Sequence, residues 1–163
     1  MPGVRSAIHV RTGPRTSAAA IDTWLTQHQV EILPFDEVYT ACVHVLQHYE
    51  RIPDLVFVGR DWLAGDELNI VSYVRQTWPR SGIIVYGDTG ETPLCDRLPL
   101  VLTCRGPAAV HDLLAATPAE LVRRLGEQLR PLVLGPAPTE DVRRPRAVVR
   151  QSLPPLAQNS HPT

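Results

Sequence analysis

The chain has 163 residues, 44% of them hydrophobic, enough for one core of about 130 residues with some extra. Sixteen basic residues against 17 acidic ones leave a net charge of −1, so no global basic field draws nucleic acid or an anionic membrane. Every basic residue is arginine, which excludes chemistry that needs an amine side chain, such as a Schiff base or a P-loop lysine. The opening Met1-Pro2-Gly3-Val4-Arg5-Ser6 has no apolar h-region, and no apolar run is long enough to span a bilayer. Cys42, Cys95 and Cys104 form an odd, scattered set without a CxxC pair, which predicts free thiols in a reducing cytoplasm.

Short apolar runs alternate with helical patterns along the chain. Ala7-Ile8-His9-Val10 predicts a first strand. Residues 14–28 follow with Ala18, Ile21, Trp24 and Leu25 at helical spacing. Val30-Glu31-Ile32-Leu33 reads as a second strand whose interior charge suits a sheet edge. A helix is predicted over 37–51, with Val38, Cys42, Val45 and Tyr49 on its apolar stripe and Pro53 closing it. Leu55-Val56-Phe57-Val58 is uninterrupted and apolar, as a central parallel strand covered on both faces must be. A loop through Gly65 leads to a helix over 66–78, with Leu68, Val71, Tyr73 and Val74 apolar and Pro79 as the stop. Ile83-Ile84-Val85-Tyr86 and Leu100-Val101-Leu102-Thr103 complete five strands, with a short helix expected within 92–97. Residues 106–116 fit either a loop or a helix. Thr117 as N-cap, Pro118 at the first turn and Glu120 three residues on open a last helix over 118–130. The fold class is therefore α/β: a doubly wound, five-stranded parallel sheet of order 2-1-3-4-5 with helices on both faces.

The character changes after Pro131. Seven of the 16 prolines lie in the last 33 residues, and aromatic residues are absent there. Such a segment buries too little apolar surface to offset its ordering entropy, so the expected division is a domain over 1–134 and a disordered tail over 135–163. Arg143, Arg144, Arg146 and Arg150 form a small basic island within it.

The middle of the chain resembles a response-regulator receiver domain. Pro53-Asp54-Leu55-Val56-Phe57-Val58 is similar to the receiver's third strand, and Leu63-Ala64-Gly65-Asp66 to its loop into the third helix. Val74-Arg75-Gln76-Thr77-Trp78-Pro79 followed by Gly82-Ile83-Ile84-Val85 resembles the passage into the fourth strand. The likeness covers about residues 7–130 and rests on scaffold motifs, which speak for fold.

At the positions that carry receiver chemistry the chain departs throughout. The resemblance places the acidic, Mg²⁺-holding pair at Arg11 and Thr12, and the phosphoacceptor aspartate at Gly59. It places the switch hydroxyl at Gly87 and the lysine at Cys104 or Arg105. Glycine offers no nucleophile, and Arg11 repels the cation that an acidic pair attracts. Asp61 is the nearest substitute acid. What the resemblance implies is a pseudo-receiver: a non-enzymatic regulatory or adaptor domain in bacterial signalling or transcription-linked regulation. It would be cytoplasmic, without a cofactor, and would act through a protein partner or a homodimer, by resemblance over about residues 92–130. Direct nucleic-acid contact is expected only weakly, through the tail arginines.

The alternative is a small-molecule binding protein. The crevice beyond the carboxyl ends of the strands should collect Arg11, Thr12, Arg60, Asp61, Asp88 and Thr89, an arrangement able to hold an anion or nucleotide. The blander arrangement, in which Arg11 or Arg60 simply pairs with Asp61 or Asp88, is the preferred expectation. Thr12-Gly13-Pro14-Arg15-Thr16-Ser17 also resembles the phosphate loop of flavodoxins. Gly59-Arg60-Asp61-Trp62 and Gly87-Asp88-Thr89-Gly90 fall where flavodoxins place their flavin loops, with Trp62 as a stacking ring.

His44 and His48, four apart on a helix, lack a third metal ligand and read as solvated. His9, inside a strand, reads as a buried, hydrogen-bonded histidine, and Cys104 as a buried, inert thiol.

Overall fold

The computed structural model describes residues 3–88 and 101–133, with side chains described through residue 127. The short helix expected within 92–97, Thr89, Cys95, the tail over 135–163 and its arginine island lie outside these residues. The strands are β1 Ser6–Val10, β2 Glu31–Phe35, β3 Leu55–Gly59, β4 Gly82–Gly87 and β5 Val101–Arg105. The helices are α1 Arg15–Gln27, α2 Val38–Gln47, α3 Asn69–Thr77, α4 Gly106–Leu114 and α5 Pro118–Val133. All strand pairs are parallel, in the order β2-β1-β3-β4-β5. The ambiguous stretch 106–116 is a helix, α4, which runs on into α5 after a short turn.

Strand alternation sends successive side chains to opposite faces. Ile8, Val10, Val56, Val58, Ile83 and Val85 face Val38, Ala41 and Val45 of α2 and Ile70, Val71, Val74 and Trp78 around α3. Ala7, Leu55, Phe57, Ile84, Tyr86 and Cys104 face Ala18, Ile21, Trp24 and Leu25 of α1, Val110 of α4 and Leu121 and Leu125 of α5. Every residue of β3 is buried, as its unbroken apolar run requires. Each such side chain contributes about 1.5–3 kcal/mol relative to exposure. β2 forms the edge; its Glu31 is exposed, and Pro34, on the side away from β1, leaves the open edge one donor short, which blunts it.

Two local expectations are corrected. Helix α2 ends at Gln47, not at residue 51, and its inward face is Val38, Ala41 and Val45. Cys42 is only half-buried and Tyr49 is exposed, because the chain leaves helical geometry at His48 before Tyr49 can turn inward. Trp78 fills that space instead, donating its indole N–H to the Tyr49 carbonyl at 2.9 Å.

Candidate functional site

The carboxyl ends of β1, β3 and β4 meet the loops that open α1 and α3. After β1 the chain is pinned at Arg11, whose N–H donates to the Phe35 carbonyl at 2.7 Å. The hydroxyl of Thr12 then donates to the carbonyl of Gly59, and the N–H of Trp62 donates to the Thr12 carbonyl at 3.0 Å. These bonds clamp the β1–α1 loop onto the end of β3. The clamp leaves no space at Gly59. A Cβ there would lie 2.7 Å from the Gly13 Cα and 2.9 Å from the Thr12 carbonyl carbon, and would overlap the Gly13 nitrogen. The converse holds at Gly13, where a Cβ would sit 3.0 Å from both the Gly59 Cα and the Tyr86 ring. The neighbours of Gly59 are all backbone, so a side chain there must displace the loop, whereas one at Gly13 would be tightly packed.

Arg60 continues the same closure. Its N–H donates to the Tyr86 carbonyl at 2.9 Å, and its side chain is only 4% exposed. It lies across Gly87, where a Cβ would be 2.6 Å from the Arg60 Cγ and 2.9 Å from its Nε and would overlap an Asp61 carboxylate oxygen. The other Asp61 oxygen accepts the Asp88 N–H at 2.8 Å. Arg60, Asp61 and Asp88 therefore knit the β3 and β4 loops together.

Beneath the crevice runs a polar chain through the α1 side of the core. His9, fully buried, places Nδ1 2.7 Å from an Asp22 carboxylate oxygen and Nε2 2.8 Å from the Tyr86 hydroxyl. The carboxylate can only accept, so His9 donates through Nδ1 and accepts the Tyr86 hydroxyl at Nε2. The second Asp22 oxygen takes the Arg11 guanidinium at 2.7 Å. Burial lowers the His9 pKa despite the opposing pull of Asp22, and keeps the ring neutral. Burial likewise raises the Tyr86 phenol, with Asp22 adding to it.

Arg11 and Arg60, expected together, diverge. Arg11 leans over α1 to Asp22, whereas Arg60 folds inward against Gly87 beside Asp61. Of the expected pairing of Arg11 or Arg60 with Asp61 or Asp88, the Arg11 alternative gives way to a partner on the following helix, Asp22. An open cavity of about 460 Å³ remains at the Arg11 side, lined by Arg11, Gly13, Arg15, Asp22, Asp36 and Trp62 among others. Trp62 is 61% exposed at its rim. Sequence reasoning missed Asp22, Asp36 and Tyr86. The usable signal was His9 itself: a histidine inside a strand demands partners, and Asp22 adjoins the apolar stripe of the next helix.

Cys104 is buried, and burial pushes its thiol up to about 11. His44 and His48 stack at 4.5 Å between ring centroids, with Phe35 beside His44. Among the described residues, no group of three or more His, Cys, Asp or Glu side chains is placed to hold a metal, and no helix is long and apolar enough to cross a membrane.

The receiver domain of NtrC4 from Aquifex aeolicus superposes with a TM-score of 0.56 at 12% identity, over 76% of this chain and 98% of that one. A response regulator receiver domain protein from Clostridium thermocellum gives 0.57 at 13% identity, over 79% and 99%. The chain has a receiver-like fold. A putative pilus assembly-related protein from Burkholderia pseudomallei shares it, with a TM-score of 0.53 at 12% identity over 78% of this chain and 93% of that one. No protein-family model and no curated protein sequence matches this chain.

On this receiver-like frame, Gly59 ends β3 opposite Tyr86, and Tyr86 lies opposite Cys104. Gly87 ends β4 opposite Arg105. The five positions singled out by the resemblance thus gather at one end of the sheet.

Proposed function

We propose that this chain is a non-catalytic pseudo-receiver, a regulatory domain that is not phosphorylated at the receiver position and acts by binding another protein or itself. The observation that carries this reading is the contact between Gly59 and the Thr12–Gly13 backbone. Phosphoryl transfer to a carboxylate needs the carboxylate, a cation beside it and room for the incoming group. Here the strand end has no side chain, the neighbouring loop occupies the space, and the position that the resemblance gives to a metal-holding acid is taken by Arg11, whose guanidinium pairs with Asp22. The Tyr86–His9–Asp22 chain has the order of a nucleophile, base and orienting acid, but Tyr86 is fully buried and its phenol is held protonated. A structural role therefore fits it better than a catalytic one.

The test is incubation of the full chain with a small phosphodonor and Mg²⁺, followed by intact mass. The mass should be unchanged; a gain of one phosphoryl group would remove the pseudo-receiver reading.

A second reading, a small-molecule binder, is favoured by the cavity beside Arg11 and Arg15 and by the exposed ring of Trp62. It requires a rise in melting temperature, or quenching of Trp62 fluorescence, on addition of a flavin or nucleotide. Neither change at millimolar ligand would eliminate it.

A further inference from the structure

The cavity beside the β1–α1 loop carries two opposite charges that do not meet. Arg15, exposed in the first turn of α1, and Asp36, exposed just after β2, both line it. Neither makes a hydrogen bond or an ion pair among the described residues. The other two charges there, Arg11 and Asp22, are closed on each other at 2.7 Å. The cavity is thus neutral as a whole, with one cation and one carboxylate left to meet a ligand. Trp62, 61% exposed, adds an aromatic face at the rim. The volume of about 460 Å³ lies within the range of small-ligand sites.

The fold gives these groups an order. β2 adjoins β1, and Asp36 stands at the carboxyl end of β2, 23 residues past Gly13 in the first strand-to-helix turn. In doubly wound sheets an acid at that place accepts the hydroxyls of a ribose, and the start of the first helix takes phosphate. A carboxylate can accept both hydroxyls of a vicinal diol at once. Arg15 supplies positive charge at the helix start, where the first turn of α1 has neither an acid nor a side-chain cap to compete for its N–H groups. The turn holds a single glycine, followed by Pro14 and Arg15. A pyrophosphate needs a second glycine there for close backbone approach, so the turn suits one phosphate.

We propose that this cavity binds a ribonucleoside 5′-monophosphate, with the ribose diol on Asp36, the phosphate on Arg15 and the base against Trp62. Stacking on an aromatic ring tolerates any base, so the sugar and the phosphate carry the selectivity. The proposal rests on the small-molecule reading above and narrows its ligand to one ribose and one phosphate.

The test is isothermal titration of the full chain with adenosine 5′-monophosphate, read beside indole fluorescence. Trp24 and Trp78 are buried, so quenching reports Trp62. The nucleotide should bind and quench. Adenosine and 2′-deoxyadenosine 5′-monophosphate should each bind about tenfold more weakly, since each lacks a group that one of the two charges holds. Asp36→Ala should erase the preference for the ribose and Arg15→Ser the preference for the phosphate, each with an unchanged circular dichroism spectrum. Equal binding of the ribose and deoxyribose forms, or a preference that survives its variant, overturns the proposal. Binding of a flavin but not of the nucleotide overturns it too, while leaving the small-molecule reading in place. Failure of every ligand, flavins included, removes both. None of these outcomes bears on phosphorylation, which the mass measurement decides separately.

Discussion

Gly13 and Gly59, 46 residues apart in the chain, meet backbone to backbone at the carboxyl end of the sheet. The contact is held by the Thr12 hydroxyl on the Gly59 carbonyl and by the Trp62 N–H on the Thr12 carbonyl. Two residues without side chains let two segments approach to a distance that a Cβ at Gly59 would forbid. The pocket is thereby closed by main chain, which cannot rotate away as a side chain would.

Restoring an acid there should therefore not restore an acceptor. Gly59→Ala is expected to cost about 1–3 kcal/mol by overpacking, and Gly59→Asp at least as much. Urea denaturation of both variants checks this. A Gly59→Asp protein as stable as the wild type, or one that gains a phosphoryl group with phosphodonor and Mg²⁺, would contradict the closure.

His9 gives the stability a direction with pH. Its native pKa lies below the ordinary 6.5, chiefly through burial. The unfolded chain therefore binds a proton more readily between the native value and 6.5. Stability should fall as pH drops through 6.5 and level off below the native pKa, with a slope of at most about 1.4 kcal/mol per pH unit from this group. His9→Phe should flatten that slope between pH 7 and 5. It should also cost about 1–3 kcal/mol at pH 7, since Tyr86 loses its hydrogen-bond partner. Equal slopes for the two proteins in urea melts would show that another group is responsible.

Cys104 should be chemically quiet. A thiol pushed up to about 11 carries almost no thiolate at pH 8, and its burial blocks reagent. Peptide mapping after brief iodoacetamide treatment should find Cys104 unmodified in the native protein and alkylated in urea. Alkylation at equal rates in both conditions would refute the burial.

The start of α5 rests on Thr117. The N–H of Glu120 donates to the Thr117 hydroxyl at 3.2 Å, the forward half of a capping box. The Glu120 carboxylate instead receives Arg123 and Arg124, which hold its pKa at about 2. Thr117→Ala should destabilise the protein by about 1 kcal/mol, and Thr117→Ser should recover most of it. A thermal scan in which all three proteins melt together would deny the cap.

The sequence alone determined the order of the five strands and of helices α1, α2, α3 and α5, the central place of β3, the edge character of β2 and the absence of an acid at Gly59, while it left 106–116, which forms α4, open. These are local or identity facts. Period-two and helical spacing, breakers such as Pro53 and Pro79, and the residue at one position are all written along the chain. Helix α2 shows the limit. Its apolar residues were evident, but its inward face is Val38, Ala41 and Val45, and Tyr49 is left exposed because the helix stops at Gln47. Only the tertiary structure decided that Arg11 turns to Asp22 while Arg60 turns inward, that His9 joins Asp22 to Tyr86, and that Gly13 closes over Gly59. Each is a meeting of segments far apart in sequence, fixed by the register of neighbouring strands and the packing of α1 on the sheet, and no local pattern encodes it.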